Sequence, residues 1–460
     1  MAETTKSGAA LVTAAEQAVA AAIKAGAQQS DALVESGSQF RVDVHQGNIE
    51  NLKQSQTRGL GLRVFVDQKV ALVYTSDLRA NALKDLAARA VTLARKSTAD
   101  PFAGLPDGPA AGAVDEASLH LFDPAVLELP AEKKIAMAKE IEKTALGYDK
   151  RILRCDGCSV QSGLGETVLA SSAGPTLHYK GTSIGAFVNP LADDGARQQS
   201  GGYGEFQRVF AKLRTPEQIG KEGGRRAVAR VGARSVPAQK VPVIMHPDVA
   251  GNWLQNMFAA FSGEQAFKKT SFLTDKLGQK IASDLVTLVD DGVLASGVSS
   301  APFDGEGVPA QKNVLIDQGV MKMFVYNAYW AKKAKAKSTG NAGRGYQSAP
   351  FIGNKNLYIA NGKSTLEEIM KSVDRGFYMV DQGAFGFNPT SGSYSYQAAV
   401  FWIENGAIAF PVDEITGAST SLVMLAGIAM VGSDLEFNGG INSPTLKISE
   451  MTVSGKASAG

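Results

Sequence analysis

The tetrapeptide Cys155-Asp156-Gly157-Cys158 has the CxxC spacing that redox enzymes use to lower a thiol pKa at a helix start, and that zinc sites use for two of four ligands. Neither context surrounds it. The pair falls in a predicted strand or turn and no second CxxC or Cys/His pair completes a metal set, so the spacing is read as coincidence. The histidines, His45, His120, His178 and His246, are dispersed, and none has the i, i+3 or i, i+4 spacing that puts two ligands on one helix face. His246 follows an apolar strand and is expected to be a turn or capping residue. Asp290-Asp291-Gly292 and Asp304-Gly305-Glu306-Gly307 bring carboxylates close enough in sequence for a divalent cation. Turn chemistry explains the same letters and is the preferred reading. Lys332, Lys333, Lys335 and Lys337, after Tyr329 and Trp330, could touch phosphate or stack a base, but a solvated helix face is expected. No GxSxG, Walker A or dinucleotide-binding pattern occurs, and Gly59-Leu60-Gly61 sits inside a strand pattern.

The elements that must position these groups alternate between two periods. Residues 9–25 repeat apolar positions at helical spacing, and Gly26 stands where a helix ends. Segments 31–36, 40–46, 59–66 and 69–75 read as short strands, the last two joined at Asp67-Gln68, and 78–96 as a helix packed on them. A Pro, Gly, Ala and Asp stretch between Asp100 and Ala113 marks a boundary. A helix at 130–146 follows, then strands near 151–160, 166–172, 176–180 and 182–189 and a Gly-rich loop from Asp193 to Gly204. Thr215-Pro216-Glu217-Gln218 is a capping box that opens a basic helix to about Arg230. Strand 241–245 and His246-Pro247-Asp248 lead into a helix over 249–263.

From 285 the pattern is mostly strand: 285–289, 312–318, 320–326, 356–360, 376–380, 396–403, 407–412 and 445–453. Hairpin signals stand at Asp317-Gln318-Gly319 and Glu404-Asn405-Gly406, and helices are expected at 326–336 and 364–372. The predicted fold class is α+β, with N-terminal helix and antiparallel-sheet layers followed by a mostly antiparallel β domain, barrel-like or sandwich. The predicted domains are 1–100, 115–235 and 240–460.

Composition narrows the partners. Lys and Arg number 47 against 45 Asp and Glu, so the net charge of +2 gives no whole-chain argument for nucleic acid or membrane. Apolar residues at 44% and charged residues at 20% belong to an ordinary globular protein, which excludes disorder. No signal-peptide pattern is found near the N-terminus and Leu422–Val431 is too short to span a bilayer, so a cytoplasmic location is expected. The 2 cysteines agree with a reducing compartment.

Five blocks of the C-terminal half carry a resemblance: Pro302-Phe303-Asp304-Gly305-Glu306-Gly307-Val308-Pro309, Ser338-Thr339-Gly340-Asn341-Ala342, Gly386-Phe387-Asn388-Pro389-Thr390-Ser391-Gly392, Phe401-Trp402-Ile403-Glu404-Asn405-Gly406 and Pro411-Val412-Asp413-Glu414-Ile415-Thr416. In order and context they closely resemble the TldD/PmbA peptidase family. Gly432-Ser433-Asp434-Leu435-Glu436-Phe437 and Ser443-Pro444-Thr445-Leu446-Lys447-Ile448 are similar to its PmbA branch, also called TldE. The resemblance implies a cytosolic peptidase system that trims unfolded or leader peptides, in which a TldD-type subunit carries a helical HExxxH zinc motif plus a cysteine ligand and pairs with a TldE-type subunit.

Counting back from Lys269-Thr270-Ser271, Leu254, Gln255 and Ala259 stand where that branch has His, Glu and His. Leu and Ala side chains offer no ligand atom, and a Gln amide is neither a carboxylate base nor a good zinc ligand. The cysteine ligand would belong near 432–448, far in sequence from Cys155 and Cys158. The chain is therefore expected to be the partner subunit without its own catalytic residues or metal, zinc belonging to a TldD-type partner. Phe385, Gly386, Asn388, Tyr394 and Tyr396 are the candidate wall for an extended peptide. Two alternatives remain: a homodimeric peptide-binding or chaperone-like module without hydrolytic activity, and a non-standard metal site built from His246 and the carboxylates at 290, 291, 304 and 306. Neither membrane nor nucleic acid is an expected partner.

Overall fold

Leu11, Ala14, Ala15, Ala18 and Ala22 lie buried along one stripe of helix α1 (Ala2–Lys24), as their spacing requires. The computed structural model describes residues 2–107, 114–193, 195 and 198–454, and the side chains of these except at 2–7, 384, 413 and 414. The expected boundary at 100–113 thus lies partly outside the described residues.

Behind α1 stands a sheet of long strands: β1 (Gln29–His45), β2 (Asn48–Val66), β3 (Lys69–Thr75), β4 (Ile152–Ser171), β5 (Gly174–Asp193), β6 (Gln198–Ser200) and β7 (Tyr203–Gln207). Its order is β3-β2-β1-β4-β5-β6, with β7 also on β5. Segments from before and after residue 115 therefore share one sheet, through the antiparallel pairing of Asp31–Asp43 with Ser159–Ser171. The short strands expected at 31–36 and 40–46 are one continuous strand, and β2 begins at Asn48 rather than 59. Polar residues such as Ser36, Ser38 and Gln39 hide the apolar alternation there, yet both edges of β1 stay paired, to β2 and to β4. For the same reason 151–172 and 176–189 merge into β4 and β5. The expected loop 193–204 holds β6 and the start of β7.

Helix α2 (Ala80–Lys96) packs with α1 over Leu60, Leu62 and Val64. Past the short α3 (Pro124–Glu128), α4 (Ala131–Leu146) and α5 (Pro216–Ala229) cover the distal half of the sheet around Val160, Ile184 and Val188. The capping box opens α5 as predicted: Thr215 Oγ1 accepts from Gln218 N and Gln218 Oε1 accepts from Thr215 N.

After β8 (Gln239–Met245) and α6 (Pro247–Phe258) come β9 (Leu288–Asp291), β10 (Lys312–Asp317), β11 (Val320–Met321), β12 (Ala342–Gly343), β13 (Phe351–Ile352), β14 (Asn356–Ile359), β15 (Arg375–Phe387), β16 (Ser393–Glu404), β17 (Ala407–Thr420), β18 (Ile428–Val431), β19 (Ile441–Asn442) and β20 (Leu446–Ser454). Pairings β17-β16-β15-β8-β20 close on themselves because Thr416 and Gly417 of β17 pair with Ser454 and Val453 of β20. This is a closed five-stranded barrel, antiparallel except for β8 beside β15, as the α+β, barrel-like reading predicts. A second sheet, β11-β10-β9-β14-β19, stands beside it.

The expected strand 320–326 is confined to Val320–Met321, and the helix expected over 249–263 is broken. α6 ends at Phe258, a tight turn spans Ala259–Phe261, and a new helix runs Gly263–Phe267. The break follows from packing, since Tyr326 fills the space a Cβ on Gly263 would need and Gly263 N donates to Val325 O. Trp253, Leu254 and Met257 of α6 are fully buried in the C-terminal core, each burial removing apolar area worth roughly 2–3 kcal/mol.

Candidate functional site

α6 has an apolar face in the core and a polar face in a cleft. The cleft, about 1030 Å³, opens where α5, α6 and the segment 434–443 meet. Position 255 follows 254 by a 100° turn of the helix, which is why Leu254 is core and Gln255 is exposed at the cleft. Asn252, one turn earlier, shares that face. Ala259, beyond the end of α6, is exposed and is not part of the cleft lining. Of Leu254, Gln255 and Ala259, Gln255 alone lines the cleft.

His246 is the N-cap of α6, its Nδ1 accepting from Asp248 N at 3.2 Å, so the capping role expected for it holds. Burial pushes its imidazole below the ordinary value, with Asp248 acting in the opposite sense. The charged rim is paired throughout. Arg226 reaches Glu222 at 2.8 Å and Asp248 at 2.7 Å, and Arg225 holds Glu222 through two nitrogens at 2.8 Å. Burial would raise the Glu222 carboxyl, but the two guanidinium groups outweigh it and bring it down to about 2. Arg214 joins Glu205 at 2.9 Å and Glu436 at 2.5 Å and also contacts Tyr203, while Asp434 accepts from Thr445. Sequence reasoning had assigned no role to Arg214, Glu222, Arg226 or Asn252. The Glu222–Arg226 spacing of four on a helix was a visible signal for one of these pairs.

The expected peptide wall divides. Phe385, Gly386 and Asn388 are exposed around the β15–β16 turn, where Asn388 Oδ1 accepts from Thr390 N at 2.9 Å. Tyr394 and Tyr396 instead belong to the barrel core at 2% and 3% exposure. They alternate inward with Ala398 and Val400 on β16, so they correct the expectation of a surface wall at those two positions.

The acidic turns behave as turns. Asp304 accepts from the backbone N–H groups of Glu306, Val308 and Ala342, and Asp290 from Lys355 N and Asn341 Nδ2. None of residues 290, 291, 304 and 306 lines the cleft that holds His246. Among the described residues no group of three or more His, Cys, Asp or Glu is placed to hold a metal ion. Around α6 the acids are engaged by arginines and a threonine, and the amides of Asn252 and Gln255 are weak metal ligands beside carboxylate or imidazole.

Cys155 and Cys158 share the buried side of β4, although residues three apart in a regular strand face opposite ways. The register slips between them opposite β5, which turns both inward. Burial raises the Cys155 thiol to about 12 and Cys158 further, and Cys158 Sγ donates to Ala138 O. Neither is a reactive thiol. Lys335 and Lys337 are exposed as expected, but Lys332 donates to Leu105 O and Lys333 lies over the rings of Tyr329 and Trp330. Among the described residues no helix is long and apolar enough to cross a membrane.

Residues 30–94, 124–231 and 238–455 match domain 1, the central domain and the C-terminal domain of the PmbA/TldA metallopeptidase. The metalloprotease PmbA of Escherichia coli O157:H7 is 30% identical over 96% of both chains. A Bacteroides thetaiotaomicron structure carrying the label of a DNA gyrase modulator superposes with a TM-score of 0.88 at 25% identity, covering 96% of this chain and 98% of its own. TldE from Thermococcus kodakarensis superposes with a TM-score of 0.84 at 23% identity over 96% and 99%.

Proposed function

The chain belongs to the PmbA/TldD metallopeptidase family, on its PmbA branch, and from that membership we propose that it is the metal-free subunit of a cytoplasmic zinc peptidase complex acting on unfolded and leader peptides. The observation that carries this reading is α6. At the place of the helical metal motif it turns a leucine into the core and a glutamine into the cleft. Metal-assisted hydrolysis needs nitrogen, sulfur or carboxylate ligands with an open coordination position, together with a base. This chain supplies an amide-bearing helix and a self-neutralised rim instead. A TldD-type subunit would bring the zinc, which activates water and polarises the scissile carbonyl.

In such a complex this chain completes the chamber and orients the substrate. Phe385, Gly386 and Asn388 are the part of the β15–β16 wall open to an extended peptide. Purified alone, the chain should contain no stoichiometric zinc by elemental analysis and should not cleave an unstructured peptide. Adding a TldD-type subunit from the same organism should produce cleavage. Zinc and cleavage in the isolated chain would overturn the reading. Peptide binding without cleavage even in the mixture would favour the homodimeric peptide-binding module.

A further inference from the structure

The polar groups of the cleft fall into two sets. Its cations are already engaged: Arg225 and Arg226 with Glu222, Arg226 with Asp248, Arg214 with Glu205 and Glu436, and Lys221 with Glu217. A ligand chosen for its charge would have to compete with these carboxylates for the guanidinium and ammonium groups. The side chains of Asn252 and Gln255 form the second set. They project from one face of α6 and make no side-chain hydrogen bond among the described residues. Across from them runs β19, the terminal strand of its sheet, whose Ile441 carbonyl would lie 3.6 Å from a Cβ built on Gly251. A Cβ at 251 would stand in ordinary van der Waals contact with that strand, so α6 and β19 pack closely there.

A primary amide both donates and accepts, which is the pairing a peptide main chain offers whatever its side chains. A protein pocket selecting an anion would instead present unpaired Arg or Lys. We propose that this cleft binds an extended peptide through its main chain, with Asn252 and Gln255 donating to and accepting from it, independently of any metal. The inference rests on the peptide-handling role proposed above and gives that role a place in this subunit. It makes the face left by the missing metal ligands a holding site, which captures substrate whatever its sequence. Binding is neutral in character, so it changes little with salt or with peptide charge.

The test is fluorescence anisotropy of the full chain, alone, with a labelled neutral Gly/Ser/Ala-rich decapeptide and with the same decapeptide N-methylated at alternate residues. Wild-type protein should bind the first and lose the second, since methylation removes main-chain donors. Asn252→Ala/Gln255→Ala should weaken binding about tenfold or more. Its melting temperature should stay unchanged, because both side chains are exposed. Undiminished binding by the double variant, equal binding of the methylated peptide, or affinity that collapses in salt would each overturn the proposal. Failure of the functional reading is separable. Cleavage by the mixed subunits with no binding by this chain sinks the holding site alone, whereas binding that responds to the variants without cleavage in any mixture sinks the peptidase role alone.

Discussion

Arg63 on β2 and Glu306, on the turn that follows Phe303, form a buried ion pair with Nη1 and Oε1 2.9 Å apart, joining the first sheet to the C-terminal half. Asp31 receives the same guanidinium at 2.5 Å and Arg344 at 3.0 Å, and all these side chains are at most 8% exposed. Burial alone would raise the Asp31 carboxyl, but Arg344 and Arg63 reverse it and hold it below the ordinary range. Glu306 also accepts from Ala328 N, so the pair anchors the helix that begins there.

Removing one member of such a group leaves charges buried without compensation. Arg63→Met should lower stability by about 3–5 kcal/mol, seen as a lower urea midpoint. In a cycle with Glu306→Gln the two losses should be non-additive, because one interaction is removed by either change.

Gly59 and Gly61 on β2 lie against Tyr346, whose N–H donates to Glu35 Oε2 at 2.8 Å. A Cβ on Gly61 would overlap the Tyr346 carbonyl oxygen, which is backbone and cannot swing away. Gly61→Ala should therefore cost about 1–3 kcal/mol by displacing the segment that carries Arg344. Gly37→Ala, where the nearest atom is the Thr57 hydroxyl at 3.4 Å, should cost clearly less in the same denaturation experiment.

The thiols provide a third check. Native protein at pH 8 should react with Ellman's reagent far more slowly than a free thiol does, since burial holds Cys155 at about 12 and Cys158 above it. Both thiols should titrate at once in denaturant. Rapid reaction of either in the folded state would contradict the inward turn of β4.

Burial raises Asp290 and Asp304 from the ordinary carboxylate value to about 6 each. Between pH 4 and 6 the folded chain then holds protons that the unfolded chain has released. Their contribution to stability is full below about pH 4 and is lost as pH rises through 6, with a slope of at most about 1.4 kcal/mol per pH unit for each group. His246, lowered by burial, acts with the opposite sign below its ordinary value. The difference between wild type and Asp290→Asn or Asp304→Asn isolates the carboxyls: each variant should lose its share of the fall in stability between pH 4 and 6, measured by urea titration across that range.

Much of the local structure was legible in the residues themselves. The turns Asp67-Gln68, Gln318-Gly319 and Asn405-Gly406 all take positive φ, as tight hairpins require. Thr215 and Gln218 cap α5, and the apolar stripe of α1 faces the core. Family and fold class were also readable, because they depend on letters and their order. The sequence could not show that β1 runs unbroken through Ser36–Gln39, since one of its two partners there, β4, comes more than a hundred residues later. Nor could it show that Tyr394 and Tyr396 face the barrel interior, that a register slip turns both cysteines inward, or that Asn252 and Gln255 meet the 434–443 segment across one cleft. Spacing along the chain sets the local period of an element, whereas burial and hydrogen-bond partners are supplied by segments distant in sequence, and those decided which side chains became core and which became site.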